Sequence, residues 1–413
     1  MSYDINDIQH LTFREGIRQK VPMYLGSDDT DGIYQAFKEI VNNSTDEALA
    51  GYGDVIEIKV DEDKNLISVR DYGRGVPFGI RDNGENVLVS IYTESHTGGK
   101  FTKGAYANSS GLNGIGASAV CLSSLSFAVE SYRDGKAAAA NFTKGILDNY
   151  KEFDTKEKNG TFVSFIPDKE VFKNMTDTFT FDRIISEIKN ISYLNKGVHF
   201  IITNKKTKQK KEFYSKNGIA DFVIAEAKSP LMKPIICKAK DEIDEVEIAF
   251  CWTAGKEAAH VFVNGLYCNE GGSPVTGAKT TLTTQIKKMS GQDLDADLIR
   301  KGLVYAINCK VAEPSFANQT KSKINNPNLR TLASKAFKEG LDEFQNSTDF
   351  DNIIKMLIKV QKAEKAADRA RRQILETSKE IEKNASKKVF NSDKLKDAEF
   401  LGPGSTLLIV EGK

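Results

Sequence analysis

The chain is short of the residues that would mark a disulfide scaffold or a soft-metal site. Its 413 residues hold five cysteines, Cys121, Cys237, Cys251, Cys268 and Cys309, with no C-x-x-C pair among them. Scattered thiols argue against a disulfide framework or a zinc ribbon and read as reduced core residues of a cytoplasmic protein. Four dispersed histidines point the same way. A metal, if one is used, is then a hard ion held by oxygen together with phosphate. No run approaches the roughly 18 apolar residues of a membrane span. The opening Met1-Ser-Tyr-Asp-Ile-Asn shows no basic stretch ahead of an apolar one, so no secretory signal is visible. Charge of one sign is lacking as well: 58 Lys and Arg balance 57 Asp and Glu. Composition therefore says nothing for or against nucleic acid, and any basic surface must be local.

What is present is enough chain for two domains. Residues 31–50 carry helical period, 55–60 alternate as a strand should, and 66–69 follow as a second strand. A tight Asp71-Tyr-Gly-Arg-Gly-Val-Pro77 segment precedes a glycine-rich stretch from Gly98 to Gly116. A helix is expected at about 117–122 and strands at 125–131 and 161–166. This order suggests an α+β sandwich with helices on one face of a mixed sheet. A second unit is expected from about Asn217, with strands at 246–252, 260–263 and 303–311 and a helix from about Ala278. Residues 350–388 read as one long polar helix, followed by a linker and a short apolar strand at 406–410. No internal repeat is visible.

On a wheel of about 100° per residue, Asn43 falls about 40° and Asp46 about 20° from Glu39. Ile33, Phe37, Ile40 and Val41 occupy the opposite side. A solvated helix face is one reading. Against it, Asn42-Asn43-Ser44-Thr45 is poor helix-forming material for an exposed surface. A carboxylate such as Glu39 can polarise a water, and the Asn43 oxygen can hold Mg²⁺. Asp71 closes a strand ahead of a glycine turn, where it can accept from the exocyclic amine of a flat ligand or simply mark a surface turn. Ser109-Ser-Gly-Leu-Asn-Gly-Ile-Gly116 resembles the glycine-rich entry to a helix, whose N–H groups cradle phosphate, with Lys100 as a mobile charge. A flexible surface loop fits that segment equally well. Neither the G-x-x-x-x-G-K-[ST] loop nor a dinucleotide fingerprint matches.

Taken together the segments resemble a known family. E-I-V-N-N-S-T-D-E-A-L-A-G (39–51), D-Y-G-R-G-V-P (71–77), G-G-K-F (98–101), S-G-L-N-G-I-G (110–116) and G-T-F-V (160–163) are similar to the GHKL, or Bergerat, ATPase fold. M-Y-L-G (23–26), E-G-G-S (270–273) and above all E-P-S-F-A-N-Q-T-K-S-K (313–323) narrow the likeness. They resemble the ATPase and transducer region of type IIA topoisomerases, the B subunits of gyrase or topoisomerase IV or a phage counterpart. The likeness runs over essentially the whole chain.

This resemblance implies a GHKL ATP-binding domain at 1–216 with an N-terminal dimerisation arm. A transducer domain at 217–395 would end in the long basic helix, and 396–413 would be a linker and first Toprim strand. It implies ATP and Mg²⁺ as cofactors, with Glu39 as general base, Asn43 as the Mg²⁺ ligand and Asp46 beside the nucleotide. Asp71 would take the adenine amino group with Thr161, and Gly75 and Pro77 would shape its pocket. Gly99, Lys100, Tyr106, Leu112, Asn113, Gly114, Ile115 and Gly116 would form the phosphate lid. Gln319 and Lys321 would reach the γ-phosphate from the second domain, and Tyr3 would cross to the nucleotide of a second protomer. The expected partners are double-stranded DNA, a second copy, and a cleavage subunit with a complete Toprim domain. Alone the chain is expected not to cut DNA.

Departures from the family pattern are equally specific. Gln35 stands where bacterial gyrases carry histidine, and Asn113 replaces a lid histidine. Val21-Pro22 replaces Pro-Gly, and Lys413 follows Glu411-Gly where an aspartate is usual. Gln35 bears on how Glu39 is oriented and how fast turnover runs.

Between Lys355 and Lys388 stand 11 basic residues against five acidic ones, a net of +6. A solvated helix with i, i+4 pairs accounts for this, and so does a basic wall that contacts DNA phosphates without reading sequence. The leading function is thus an ATP-gated clamp of a type IIA topoisomerase. The alternatives are another GHKL clamp of the MutL or Hsp90 kind, or a nucleotide-sensing module with negligible turnover.

Overall fold

The computed structural model describes residues 11–95, 97, 114–317 and 321–385, with isolated positions 403, 406 and 409. Tyr3, Gly99, Lys100, Tyr106, Leu112, Asn113 and Gln319 lie outside the described residues, as does nearly all of 386–413.

The first half opens with α1 (Phe13–Gln19), α2 (Pro22–Leu25) and α3 (Thr30–Leu49), then β1 (Val55–Asp61), β2 (Leu66–Asp71) and α4 (Val87–Thr93). It continues through α5 (Gly116–Ser123), β3 (Ser124–Arg133), β4 (Lys136–Thr143), β5 (Ile146–Asp154), β6 (Gly160–Pro167), α6 (Phe181–Leu194), β7 (His199–Asn204) and β8 (Lys210–Tyr214). The strands form one eight-stranded sheet in the order β5-β4-β3-β6-β2-β1-β7-β8. Among the described residues only the β1–β7 pair in this sheet is parallel, with Ile58 opposite Ile202. Alternation along β1 sends Ile56, Ile58 and Val60 into a core shared with Ile33, Phe37, Ile40 and Val41 of α3. One buried stripe on the helix and one buried face on the sheet make a two-layer sandwich. At the sheet edge, β5 is exposed almost throughout.

The second half runs α7 (Ile219–Ala227), β9 (Ile235–Lys240), β10 (Glu245–Trp252), β11 (Ala258–Val263), β12 (Leu266–Tyr267), β13 (Gly271–Gly272) and α8 (Ser273–Ser290). Then come α9 (Ala296–Arg300), β14 (Leu303–Lys310), β15 (Lys323–Ile324), α10 (Pro327–Gln345) and α11 (Phe350–Ala385). Its five-stranded sheet is ordered β12-β11-β14-β10-β9. The central strands β10 and β14 are nearly continuous apolar runs, as strands covered on both faces should be. Helix α7 packs on β10 and β14, α10 packs on β9 and β10, and α8 lies along α10. Trp252 stacks on Phe344 with ring centroids 4.9 Å apart, and Phe250 meets Phe337 edge-on at 4.9 Å. Helix α8 begins at Ser273, one turn earlier than expected, because Pro274 suits a first helical turn and Gly291 closes the other end in the left-handed conformation.

Helix α11 is polar only in part. Its first turns bury Ile353, Ile354 and Leu357 in the second core, whereas residues 362–381 are exposed. Among the described residues, no helix is long and apolar enough to cross a membrane.

Candidate functional site

Helix α3 is the floor of the site. The Asp29 carboxylate caps it by accepting from the N–H groups of Asp31 at 2.8 Å and Gly32 at 3.3 Å. Its apolar stripe is buried, which leaves Gln35, Glu39 and Asn43 together on a half-buried face. Gln35 Nε2 donates to Glu39 Oε1 at 3.0 Å. The other carboxylate oxygen lies against the start of α5: a Cβ placed on Gly116 would come 2.3 Å from Glu39 Oε2. Only glycine lets the N-terminal turn of α5, with its outward N–H groups, approach the carboxylate this closely. The far end of α5 is pinned by Arg18, which donates to the Leu122 carbonyl at 3.1 Å while bridging to Asp168 at 2.5 Å.

The run of poor helix formers on α3 is not a solvent face. Ser44, Thr45 and Asp46 are all buried. Ser44 Oγ donates to Asp71 Oδ2 at 3.1 Å. Asp71 closes β2, and its Oδ1 accepts from the N–H groups of Gly73 at 3.0 Å and Thr161 at 3.1 Å. Gly160, at φ +137°, makes the second contact possible, because a Cβ there would sit 2.1 Å from the Asp71 carbonyl. Burial pushes the Asp71 carboxyl above the usual carboxylate range; the bonds from Gly73, Thr161 and Ser44 and the charge of Arg70 oppose the rise. With one bond on Oδ2, the carboxylate keeps acceptor capacity for one further donor.

The turn after Asp71 is strapped on both sides. Arg74 makes a forked pair with Glu47 of α3, Nε at 3.0 Å and Nη2 at 2.9 Å. Arg133 Nη1 donates to the Gly75 carbonyl at 2.7 Å, and Ser131 Oγ donates to the Val76 carbonyl at 2.6 Å. Pro77 is exposed at the end of this turn. Asp46 lines a small gap with Asn264 and Lys310 of the second half. Gly114, Ile115 and Gly116 lead directly into α5, with Gly114 at φ +59°. Ser44 and Glu47 were not singled out from sequence. The signal for Ser44 was present in its unfavourable helix propensity, but nothing local identified Glu47 as the partner of Arg74.

A cleft of about 910 Å³ lies between the two halves. Gln35 and Glu39 line one wall, and His260, Tyr267 and Lys321 line the other. Lys321 adopts a left-handed backbone at φ +56°, and its Nζ lies 6.0 Å from the Phe316 ring centroid. The next residues are bound to the E-G-G-S segment. Glu270 N–H donates to the Ser322 carbonyl at 3.0 Å, Ser322 Oγ donates to Glu270 Oε1 at 2.5 Å, and Gly271–Gly272 pair in parallel with Lys323–Ile324. Two segments distant in sequence thus form one base for Lys321. His260 Nε2 stands 3.5 Å from Glu226, and burial lowers its pKa against that carboxylate's pull.

Among the described residues there is no group of three or more His, Cys, Asp or Glu placed to hold a metal. Asn43, one turn beyond Glu39, offers a hard amide oxygen. That donor set suits Mg²⁺ shared with phosphate oxygens and does not suit a soft metal.

Residues 28–171 match the family model described as histidine kinase-, DNA gyrase B-, and HSP90-like ATPase, and residues 218–373 match the model described as DNA gyrase B. The DNA gyrase B protein of Enterococcus faecalis is 34% identical over 388 residues, covering 89% of this chain and 60% of that protein. The DNA gyrase B protein of Borreliella burgdorferi is 33% identical over 434 residues, covering 100% of this chain and 67% of the relative. Among solved structures, the 43K ATPase domain of Thermus thermophilus gyrase B, in complex with an aminocoumarin, superposes with a TM-score of 0.74 at 27% identity. That match covers 87% of this chain and 98% of the other. The chain spans about 60% of the length of the first of these curated relatives. Matched by family models in both halves and by a full-length alignment at this identity, the chain belongs to the DNA gyrase B family of type IIA topoisomerase proteins.

Proposed function

We propose that this chain is the ATP-binding and ATP-hydrolysing clamp portion of a type IIA DNA topoisomerase, with an ATPase domain at 1–216 and a transducer domain at 217–395. The observation that carries the reading is the setting of Glu39. One of its oxygens is held by Gln35, the other faces the N-terminal turn of α5, and the cleft beside it is shared with Lys321.

In this reading Asp71 accepts the amino group of adenine on its remaining Oδ2 lone pair, with Thr161 beside it. The N–H groups of α5 face the phosphates, as helix N-termini favour anions. Glu39 orients and deprotonates the attacking water, and Gln35 keeps its carboxylate in one rotamer. Mg²⁺, when bound through Asn43, supplies positive charge to the transferring phosphoryl group. Lys321 reaches the γ-phosphate only while that group is attached, so its contact differs between ATP and ADP. A difference in contacts is what allows a nucleotide to bias the angle between two domains. The roles of Gln319 and of the lid residues belong to the same proposal, as do dimerisation, the cleavage subunit and passage of double-stranded DNA along the basic α11.

The test is steady-state ATPase of the chain against Glu39→Gln, with nucleotide affinity measured separately. Turnover is expected to fall by about 10²–10⁴ with affinity kept. Equal rates would remove Glu39 from its role, and binding without turnover in both proteins would favour a nucleotide sensor.

A further inference from the structure

Helix α3 carries a hydroxyl at a place where helix formation and burial both argue for alanine. Serine is the poorer helix former, yet Ser44 lies inside α3 and is only 4% exposed. A buried hydroxyl must find a partner. Ser44 Oγ has two acceptors within reach: Asp71 Oδ2 at 3.1 Å and the Ile40 carbonyl, one turn back, at 3.5 Å. The first is nearer and belongs to an acid, so the hydroxyl hydrogen goes to Asp71.

Three donors converge on the Asp71 carboxyl group, which is itself 5% exposed. The N–H groups of Gly73 and Thr161 take Oδ1 at 3.0 and 3.1 Å, and Ser44 takes one lone pair of Oδ2. Backbone donors fix Oδ1 as an acceptor, so a proton can enter only on Oδ2. An ionised Oδ2 offers a ligand an acceptor, whereas a protonated one offers it a donor. Ser44 is the side chain that acts on this choice through a direct bond to Oδ2. Arg70, on the same strand, also favours the ionised form by its charge. On α3, Glu47 is taken up by Arg74 and Asp46 lines the gap toward the second half. Tyr92 of α4 is a buried phenol whose pKa is pushed up, so it stays neutral. Strand β6 has no titratable side chain, and the β1 residue opposite Asp71 is Ile56.

We propose that Ser44 is a specificity-determining residue. Its hydroxyl keeps Asp71 Oδ2 an acceptor, so the pocket selects a purine with an exocyclic amine over one with a carbonyl at the same place. A carbonyl there would set two acceptors against each other, and a site left with unpaired buried polar groups rejects a ligand far more sharply than one that discriminates by shape. Without Ser44, a proton on Oδ2 turns that repulsion into a hydrogen bond. The inference deepens the nucleotide reading of Asp71 and rests on it.

Equilibrium binding of ATP and of inosine triphosphate to the full chain, at successively lower pH, tests it. Inosine triphosphate carries a carbonyl in place of the exocyclic amine. Ser44→Ala removes the hydroxyl and supplies a better helix former, so the fold is kept. A hydrogen bond to a charged group is worth about tenfold at the lower end of its range, which is about one pH unit. Acidification should erode the preference for ATP in both proteins, and in Ser44→Ala it should do so about one pH unit higher. Identical pH profiles would overturn the proposal. So would an equal loss of both nucleotides at every pH, which is what a purely structural serine would give. Asp71→Ala separates the two readings. If it binds ATP as the parent does, Asp71 has no part in recognition and both readings fall. If it loses ATP while Ser44→Ala follows the parent profile, only the role of Ser44 falls.

Discussion

Gln35 Nε2 lies 3.0 Å from Glu39 Oε1, one turn away on the same face of α3. Gln35, which stands where the family resemblance leads one to expect histidine, therefore still supplies a hydrogen-bond donor to the carboxylate proposed as the base. Gln35→Ala removes a hydrogen bond to a carboxylate, worth about 1.5–3 kcal/mol. The expected result is a fall in kcat of roughly tenfold to a hundredfold with unchanged nucleotide affinity, and Gln35→His should restore it. Steady-state kinetics at saturating ATP decides the point; an unaltered kcat in Gln35→Ala would show that the amide does not position the carboxylate.

Nucleotide binding should depend on pH through Asp71. Its pKa is raised by burial, so the proton returns at a higher pH than for an ordinary aspartate near about 3.9. The acceptor proposed for the adenine amine is present above that raised pKa and lost as pH falls through it. Calorimetric titration of ATP at successively lower pH should show affinity weakening at a higher pH than the titration of an ordinary aspartate would cause. Asp71→Asn should bind weakly throughout and without that slope. One amide oxygen cannot accept from Gly73, Thr161, Ser44 and a ligand together, and its NH₂ group faces donors.

Gly116→Ala is expected to damage both stability and turnover. The added methyl group would sit 2.3 Å from Glu39 Oε2, so either α5 or the carboxylate must move. Overpacking of this kind costs about 1–3 kcal/mol. In a Glu39→Ala background the clash disappears, so the stability cost of Gly116→Ala should shrink sharply. A thermal-denaturation double-mutant cycle measures this coupling. Additive losses would mean that the two residues do not meet.

His260 gives the second half an acid sensitivity of its own. Its folded pKa lies below 6.5 because burial disfavours the imidazolium. Between that folded value and the unfolded one the unfolded chain binds the extra proton. Stability is therefore full above about 6.5 and falls as pH drops through the window. Melting temperatures at pH 7.5 and pH 5.5 should differ more for the parent chain than for His260→Gln; identical differences would discount this histidine.

Much of the first half was legible because local signals agreed with one another. The stripe Ile33, Phe37, Ile40 and Val41 marked the buried face of α3, and the alternation of 55–60 marked β1. Asn42-Asn43-Ser44-Thr45 disagreed with an exposed helix, and the structure accounts for part of that conflict by the buried contact between Ser44 and Asp71, which the sequence did not indicate. Contacts between distant segments were not legible. Glu47 reaches Arg74 across 27 positions, and the Glu270 segment pairs with Ser322 across 52. Neither leaves a periodicity in the chain, because both are set by how the sheets bring strand ends together. Helix α11 misled in the opposite direction: its charge hid the apolar first turns that anchor it.

That anchoring makes α11 a rod held at one end. Its 36 residues extend about 54 Å at 1.5 Å per residue, and only the first turns are embedded in the second core. A stiff rod turns small angles into large displacements. For a tilt of about 10° at the embedded end, a point about 30 Å along the helix swings by roughly 5 Å, about one helical pitch. The charged outer portion of this chain would thus travel furthest for the least rearrangement within its core.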